Sequence, residues 1–309
     1  MSSSLGPGPE FDLIRALLAR WGERARGIGD DAALVDVPEG ERLVVSVDAS
    51  IENVHFRHDW LTPREIGYRA TAAALSDLAA CAAAPLGVLV TLALPKVWLP
   101  HALELGDGVG DAVRENATHV IGGDMSGGSE LGITVTVLGH AKAPVRRDSA
   151  HAGDHLYLTG RLGGPMAAIK AWEGGGQPSP EARARFAHPE PRMREARWLA
   201  EHGAHAAIDV SDGLLGDAAH LAHASEMRVI IELDSVRTVA GVLPVDAAKS
   251  GEEYELLVAA PPHLDVSAFE RAFQIPLTPI GRFERGPAEV QALVHGRRVA
   301  ASGGFSHFS

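Results

Sequence analysis

The sequence contains one cysteine and no long hydrophobic run. Because Cys81 stands alone, no disulfide can form within the chain, which is typical of a protein from a reducing compartment. No apolar stretch reaches the roughly 18 residues that a membrane-spanning helix needs, and the N-terminus lacks the basic and then apolar pattern of a secretory signal. We therefore expect a cytoplasmic protein without a membrane partner.

Positive charge is also scarce. The chain has 28 Lys and Arg residues against 40 Asp and Glu residues, so its formal net charge is −12, and the basic residues form no dense stripe. A nucleic-acid backbone is therefore not expected as a partner. A phosphate ligand would need metal ions in order to approach so acidic a protein.

Several motifs of nucleotide-binding and hydrolytic proteins are absent. There is no Gly-x-x-x-x-Gly-Lys-Ser/Thr loop and no Gly-x-Gly-x-x-Gly after a strand, so ATP would have to bind in another way. Neither Gly-x-Ser-x-Gly nor His-Glu-x-x-His occurs, which argues against an α/β-hydrolase and against a zincin. The carboxylates remain as the chemically informative residues.

The length favours two domains, because 309 residues exceed the roughly 100–200 residues of a usual single domain. Strands and helices alternate along the chain, which predicts an α+β fold with α/β-type alternation. The pattern breaks at Ala141-Lys142-Ala143-Pro144. We expect an N-terminal domain of residues 1–143 and a C-terminal domain of residues 144–309.

Local periodicity predicts the main elements. Thr62-Pro63-Arg64-Glu65 combines a cap residue, a proline at the first helical position and an acid in the first turn, which is typical of a helix start. Helices are expected over residues 11–21, 62–83, 98–116, 192–202 and 214–225, and strands over residues 43–48, 87–94, 119–121, 131–139, 206–210 and 254–259.

Six aspartates that lie beside apolar segments are the principal candidates for ligand binding. If the fold brings several of them together, cations must separate their charges, and hard oxygen ligands select Mg²⁺, Mn²⁺ or Ca²⁺. This pattern predicts a Mg²⁺-nucleotide enzyme. The six residues are Asp30, Asp48, Asp77, Asp124, Asp209 and Asp212.

Each candidate has a plainer alternative. Taken alone, Asp30 is more simply a cap or turn residue. Asp77 stands among apolar residues in mid-helix, where a buried carboxylate needs either a metal or a salt bridge. Asp209 and Asp212 flank a strand end, where ligands bind in open α/β sheets, although Asp-Gly is also ordinary turn chemistry.

Two further features are assigned no chemistry. Asp217, His220 and His223 recur at three-residue spacing on one helix, and a solvated helix face explains them better than a zinc site. Cys81, in an alanine-rich helix, is most simply a small buried hydrophobic residue.

Together, the motifs resemble the thiamine-monophosphate kinase family over nearly the whole chain. The resemblance rests on Gly27-Ile28-Gly29-Asp30-Asp31-Ala32-Ala33-Leu34, Ser46-Val47-Asp48, Val54-His55-Phe56, Leu75-Ser76-Asp77-Leu78, Gly122-Gly123-Asp124, Ile208-Asp209-Val210-Ser211-Asp212-Gly213-Leu214 and Gly251-Glu252-Glu253-Tyr254-Glu255-Leu256. It implies a two-domain aminoimidazole-ribotide synthetase-like fold, in which the N-terminal sheet pairs across a homodimer and the C-terminal domain completes the active-site cleft. The implied reaction transfers the γ-phosphoryl group of ATP to thiamine monophosphate.

The resemblance also implies roles for particular residues. Several Mg²⁺ ions per site would be held by Asp30, Ser46, Val47, Asp48, Asp77, Asp124, Asp209 and Asp212, among which Asp77, Asp124 and Asp212 are the implied catalytic residues. The implied ATP contacts are Gly123, Asp124, Arg147 and Ser211, and the implied contacts to the thiamine moiety are His55, Glu252 and Phe305. The sequence departs from the family pattern at Val47, Met125, Glu253 and Ser306.

Two alternatives remain open: another ATP-dependent synthetase of the same superfamily, or a non-catalytic protein that binds a nucleotide or a thiamine phosphate. Selenophosphate synthetase would need a reactive cysteine or selenocysteine in an N-terminal glycine-rich segment, and the hydrogenase-maturation protein would need a cysteine at its C-terminus. Cys81 is in neither place. A pure binding protein would not need so many carboxylates around the phosphates. For the kinase we expect direct in-line transfer, because a phosphate monoester is mostly dianionic at neutral pH and needs no general base.

Overall fold

The computed structural model of the protein describes residues 8–300. Within this range the chain forms two compact units. The first unit contains residues 8–78 and 83–143, and the second unit contains residues 79–82 and 144–300. Each unit has its own sheet and its own helices, and the mixture of helices and sheets confirms the predicted α+β class.

A four-stranded sheet forms the centre of the first unit. Its strands are β1 (Arg42–Ile51), β2 (Ala84–Leu94), β3 (Val120–Gly127) and β4 (Gly132–Ala141). Their order in the sheet is β1-β4-β2-β3. Strand β4 pairs antiparallel with β1 and with β2, whereas β2 and β3 are parallel. Strand β1 therefore lies at an edge of the sheet.

The alternation of side chains along β1 and β4 separates the two faces of this sheet. Val135 and Val137 of β4 are completely buried, and they pair in register with Asp48 and Ser46 of β1. Ser46 and Asp48 therefore lie on the covered face, and Val47 between them lies on the other face.

Three α-helices accompany the sheet: α1 (Pro9–Trp21), α2 (Pro63–Ala80) and α3 (Ala102–Glu115). The expected start signal is present at α2, where the Thr62 N–H donates to Glu65 Oε2 at 2.8 Å and the Glu65 N–H donates to Thr62 Oγ1 at 3.3 Å. Helices α2 and α3 pack backbone against backbone, because a Cβ atom at Gly67 would lie 2.0 Å from the carbonyl oxygen of Leu105.

The predicted helix over residues 98–116 is wrong at its start. Lys96–His101 forms a 3₁₀ helix, and the α-helix begins only at Ala102. Pro100 explains the difference, because its ring removes a backbone donor and disfavours the α conformation of the preceding residue.

The predicted strand over residues 119–121 is longer in the structure. Strand β3 continues through Gly122 and Gly123 to Gly127, where it follows β2 in parallel. Asp124 therefore lies within a strand and not in the turn after it.

A mixed seven-stranded sheet forms the centre of the second unit. Its strands are β5 (His155–Thr159), β6 (Ala206–Asp209), β7 (Arg228–Glu232), β8 (Leu256–Ala260), β9 (Leu277–Glu284), β10 (Val290–Val294) and β11 (Arg297–Val299). Their order is β11-β10-β7-β9-β5-β8-β6. Because β8 is antiparallel to both β5 and β6, these two strands run in the same direction.

The described part of this unit contains six α-helices: α4 (Gly164–Glu173), α5 (Pro180–Ala187), α6 (Met193–Glu201), α7 (Leu214–Ala224), α8 (Pro244–Ala247) and α9 (Val266–Phe273). The core forms where α7 packs on the sheet, with Leu221, Ile208, Leu257 and Ile231 all buried. None of the helices in residues 8–300 has both the length and the hydropathy that crossing a bilayer requires.

Two local expectations for this unit were wrong or incomplete. The strand expected from residue 254 begins at Leu256, because Glu252 and Tyr254 have positive φ angles of 62° and 53° that an extended strand does not allow. Helix α5 was not expected, although its start signal is present. Pro180 occupies the first turn, and the Ala182 N–H donates to Ser179 Oγ at 3.2 Å.

Candidate active site

In the first unit, side chains with oxygen atoms that could bind a cation lie between β1 and α2. Ser46 and Asp48 project from the same face of β1, and the Ser46 hydroxyl donates to Asp77 Oδ2 on α2 at 2.5 Å. Asp77 is half-buried among alanine and leucine neighbours that are almost completely buried, so it is less enclosed than the sequence indicated. The structure therefore brings two of the predicted metal ligands, Ser46 and Asp77, into direct contact. A third, Asp48, lies two residues after Ser46 on the same strand.

Val47 lies between these residues but on the opposite face. Its side chain is 59% exposed and carries no ligand atom. Only its backbone carbonyl oxygen could contact a cation. Its role as a metal ligand remains a prediction.

A cleft of about 710 Å³ in the first unit is lined by the remaining predicted metal-binding aspartates of this unit. Asp30 and Asp31 of the early glycine turn line it together with Gly123 and Asp124 of β3. Apolar side chains of α1, α3, β2, β3 and β4 also line it. Its size is that of a small-molecule site, and its acidic part could hold a cation between the turn and the strand.

Gly123 is required by this geometry. A Cβ atom at Gly123 would lie 2.0 Å from the carbonyl oxygen of Val90 on the neighbouring strand. Glycine therefore lets β3 approach β2 closely just before Asp124, and it leaves the backbone beside that carboxylate accessible. Met125, one of the departures from the family pattern, also lines the cleft.

His55 follows the end of β1. Its Nδ1 accepts a hydrogen bond from the Ile51 N–H at 3.1 Å, so a neutral imidazole carries its proton on Nε2. The half-buried ring is fixed against the backbone, with Nε2 as the atom that could serve as a donor.

The second unit presents an acidic turn, defined here as Asp209 to Gly213, between β6 and α7. Asp209 ends the buried strand and is 4% exposed, whereas Ser211 and Asp212 are half-buried. The turn thus places a carboxylate, a hydroxyl and a second carboxylate at the carboxyl end of a strand and directly before a helix, where anionic ligands and their cations bind in many α/β folds.

Asp217 shapes this turn, and the predicted solvated position of its side chain is wrong. It is 1% exposed and not solvated, and its Oδ2 accepts hydrogen bonds from the backbone N–H groups of Ser211, Asp212 and Gly213 at 3.0–3.2 Å. Burial, together with repulsion from Asp209 and Asp212, raises the pKa of Asp217 to about 8, against the opposing effect of these donors. The available signal was its position one helical turn after Asp212-Gly213, from which it can cap the helix.

His220 is also closer to the turn than its spacing indicated. One ligand atom each from Asp212, Asp217 and His220 lie within 4.8 Å of one another. The imidazole is exposed, whereas Asp217 is buried. The solvated-face interpretation therefore holds for His220 but not for Asp217.

Main-chain hydrogen bonds connect the segment that contains Glu252 and Tyr254 to the acidic turn. The Glu252 N–H donates to the Ser211 carbonyl at 2.7 Å, and the Tyr254 N–H donates to the Val210 carbonyl at 2.9 Å. The Tyr254 hydroxyl donates to Glu252 Oε2 at 2.6 Å. The positive φ angles of Glu252 and Tyr254 mark a backbone that the surrounding contacts hold in an uncommon conformation, a feature frequent at functional sites.

Four further positions named in the sequence analysis are less informative. Arg147 is exposed, and its carbonyl accepts from Ser225 Oγ at 2.7 Å. The preceding residue, Arg146, forms a β-bridge with Ala206, so Arg147 lies near the start of β6 and away from Asp209 at its end. Its contact to ATP remains a prediction.

Glu253 points inward, where it accepts from the Gly163 N–H and pairs with Arg185. Phe305 and Ser306 lie outside the described residues.

The chain matches two family descriptions in sequence. Residues 29–141 match the AIR synthase related protein N-terminal domain, and residues 151–292 match the corresponding C-terminal domain. The fold and the two acidic regions thus belong to a two-domain protein of the AIR synthase related class.

Comparison with individual proteins narrows this class. The chain is 33% identical to thiamine-monophosphate kinase of Mycobacterium tuberculosis over 287 residues, which cover 91% of this chain and 85% of the relative. It resembles the crystal structure of thiamine-monophosphate kinase from Stenotrophomonas maltophilia with a TM-score of 0.82 and 32% identity, covering 94% and 98% of the two chains. It resembles AaThiL complexed with AMPPCP and TMP with a TM-score of 0.77 and 27% identity, covering 97% of each chain. The chain belongs to the thiamine-monophosphate kinase family.

Proposed function

We propose that this protein transfers the γ-phosphoryl group of ATP to thiamine monophosphate and forms thiamine diphosphate and ADP. The observation that carries the proposal is the similarity to thiamine-monophosphate kinases over nine-tenths of the chain. A relative solved with AMPPCP, an ATP analogue, and TMP supports the two substrates. The acidic residues supply a means of binding two polyanions on a protein with a net charge of −12.

We further propose that Mg²⁺ ions accompany the phosphates. The residues present fit this cation, because the donors are carboxylate and hydroxyl oxygens and Mg²⁺ is bound by few carboxylates together with substrate phosphates. When bound, Mg²⁺ supplies charge neutralisation between phosphates. The residues proposed to hold it are Asp30, Ser46, Asp48, Asp77 and Asp124 in the first unit, and Asp209 and Asp212 in the second.

The residues proposed to contact the substrates are assigned from their accessibility and their hydrogen-bonding groups. Gly123 leaves the β3 backbone accessible beside Asp124, and Ser211 lies between the two carboxylates of the acidic turn, so both are suited to a phosphate chain with its cations. His55, with its proton on Nε2, and Glu252, oriented by Tyr254, are suited to the polar groups of the thiamine moiety. Arg147 would add a forked donor for phosphate oxygens.

The proposed chemical step is direct and in line. Thiamine monophosphate already carries a nucleophilic phosphate oxygen at neutral pH, so no side chain needs to remove a proton. The protein's task is positioning and charge stabilisation. The alternative is a two-step reaction in which a side chain first accepts the phosphoryl group. The imidazole of His220, which lies close to Asp212, is the nitrogen nucleophile to test for such an intermediate.

The first prediction concerns the reaction itself. With ATP, Mg²⁺ and thiamine monophosphate, the protein should form equimolar ADP and thiamine diphosphate, as measured by chromatography. Free thiamine should be a poor acceptor, because it lacks the phosphate oxygen that attacks. Omission of Mg²⁺ should abolish turnover, because the phosphates would then meet the carboxylates without charge compensation.

Labelled ATP separates the mechanism from the substrate assignment in the same experiment. With γ-labelled ATP, rapid quenching should recover the label in ATP and in product, with none on the protein. Label on wild-type protein that disappears in His220→Asn would overturn the in-line mechanism while leaving the substrate intact. Preference for free thiamine, or binding of both substrates without ADP formation, would overturn the kinase assignment.

We also propose that the first unit forms a homodimer through β1. The buried side chains of β2 and β4 are already covered within the unit, whereas Leu43, Val45 and Val47 are 50–59% exposed on one face of an edge strand. Apolar side chains exposed in this way on an edge strand are unfavourable unless another surface covers them. The N-terminal sheet of a second copy is the partner that the family resemblance favours.

The second prediction tests this surface. The wild type should sediment as a dimer at micromolar concentration, and Val45→Lys should weaken dimerisation by roughly 100-fold or more, because an unpaired ammonium group would be buried at the interface. Leu243→Lys, an exposed apolar site of the second unit, is the matched control and should remain dimeric. A wild-type monomer, or a Val45→Lys dimer of unchanged affinity, would contradict the proposed interface.

A further inference from the structure

Three potential metal ligands converge in the second unit, outside the acidic turn. His151 and Asp154 belong to the turn before β5, and His205 immediately precedes β6. The Nδ1 atom of His205 lies 3.1 Å from Nδ1 of His151 and 2.9 and 3.1 Å from the two carboxylate oxygens of Asp154. The ligand atoms of all three residues lie within 4.8 Å of one another.

Hydrogen bonding alone accounts poorly for this cluster. If His205 Nδ1 carries a proton, it can donate a hydrogen bond to Asp154. That single proton would then have to be shared with His151 Nδ1, which lies about equally close. If His151 donates to His205 instead, the lone pair of His205 Nδ1 faces the Asp154 carboxylate. A cation bound between the three residues would be contacted by a lone pair from each of them.

From this geometry we propose that His151, Asp154 and His205 form a binding site for a divalent cation of the Zn²⁺ type. In a tetrahedral Zn²⁺ site, bonds of about 2.0 Å separate neighbouring ligand atoms by roughly 3.3 Å. The observed separations of 2.9–3.1 Å need only a small outward movement to reach this value. Two imidazoles and one carboxylate leave a fourth position for water, and nitrogen ligands favour Zn²⁺ over Mg²⁺.

The backbone holds the three ligands in place. Asp154 is 4% exposed, and its Oδ2 accepts from the His151 N–H at 2.7 Å, while its own N–H donates to the His151 carbonyl at 3.0 Å. The His205 N–H donates to the Ala259 carbonyl at 2.8 Å. Such outer contacts orient ligands before the cation arrives.

This site is separate from the carboxylates of the acidic turn. Because β5 and β6 run in the same direction, the cluster lies where both strands begin, whereas Asp209 lies where β6 ends. Four strand residues span about 13 Å. The cation would therefore link the turn before β5 to the segment before β6, and the proposal does not depend on the kinase activity.

The test is calorimetric titration of the chelator-treated and dialysed full chain with Zn²⁺ in excess Mg²⁺, which occupies the oxygen-rich sites. The wild type should bind Zn²⁺ at this cluster, and both His151→Asn and His205→Asn should weaken that binding at least about tenfold. His263→Asn, at an exposed histidine of the same unit, should bind like the wild type. His220→Asn controls for the cluster beside the acidic turn and should also bind like the wild type.

His151→Asn keeps the test decisive even if His205→Asn fails to fold, because His151 is exposed. X-ray absorption of the Zn²⁺-bound protein should show two imidazole nitrogens in the coordination shell. Equal affinity in the wild type and His151→Asn, loss of binding in His220→Asn alone, or a shell made only of oxygen atoms would each overturn the proposal.

Discussion

Asp77→Asn is expected to leave the protein folded and to lower kcat with ATP and thiamine monophosphate by on the order of 1,000-fold or more. Asparagine has nearly the same shape, and its amide oxygen can still accept the hydrogen bond of the Ser46 hydroxyl. The substitution therefore preserves the contact between β1 and α2 but removes the negative charge proposed to hold Mg²⁺. Coupled measurement of ADP release gives kcat, and thermal unfolding shows whether the fold is retained.

Glu104→Gln is the matched control, because Glu104 is an exposed carboxylate on α3 of the same unit. It should show wild-type kcat and wild-type dependence on Mg²⁺ concentration. For Asp77→Asn, the residual activity should require more Mg²⁺, a change that a merely structural role would not produce. A folded Asp77→Asn enzyme with normal kcat and normal Mg²⁺ dependence would show that Asp77 serves only to pair with Ser46.

Arg192→Met is expected to lower the free energy of unfolding of the second unit by about 3 kcal/mol. Glu255 is completely buried, and Arg192 binds both of its oxygens, with Nε 2.8 Å from Oε2 and Nη2 2.7 Å from Oε1. Thr159 Oγ1 donates at 2.7 Å, and Arg185 lies 2.9 Å from Oε1. Removal of Arg192 leaves a buried carboxylate with only part of its compensation, although Arg185 keeps the cost at the lower end of the usual range.

The same contacts predict how this loss depends on pH. Burial by itself would raise the pKa of Glu255, but attraction to Arg192 and Arg185 and hydrogen bonds from Arg192 and Thr159 lower it to about 2. A lowered folded-state pKa stabilises the protein fully above the unfolded value of 4.5, and this contribution is lost as the pH falls toward about 2. The stability difference between wild type and Arg192→Met should therefore be largest at neutral pH and shrink toward about pH 3.

Denaturant titrations across this pH range measure the difference. Arg282→Met is the matched control, because Arg282 pairs with Glu284 at 2.8 Å with both side chains substantially exposed, and it should change stability by no more than about 0.5 kcal/mol. Combining Arg192→Met with Glu255→Gln should cost less than the sum of the two single changes, since the buried charge is removed with its partner. Equal effects of Arg192→Met and Arg282→Met would mean that the buried pair does not contribute to stability.

The sequence by itself determined the local chemistry. The family resemblance, the α+β class and the start of α2 follow from residues that lie close together in the chain, such as Thr62 to Glu65. The position of Asp209, Ser211 and Asp212 at the end of β6 could be predicted in the same way, because a strand, a glycine turn and a helix each have short-range sequence signals. Side-chain alternation also limited which residues of β1 could share a face.

Only the tertiary structure decided which distant groups meet and how far each is buried. Asp217 has the spacing of a surface residue, yet its carboxylate is enclosed by the turn that it caps. Arg192 and Glu255 pair across a sequence separation of 63 residues, and His151 and His205 across 54. No local pattern encodes these contacts, because strand order and helix packing bring the segments together, and burial follows from everything packed around them.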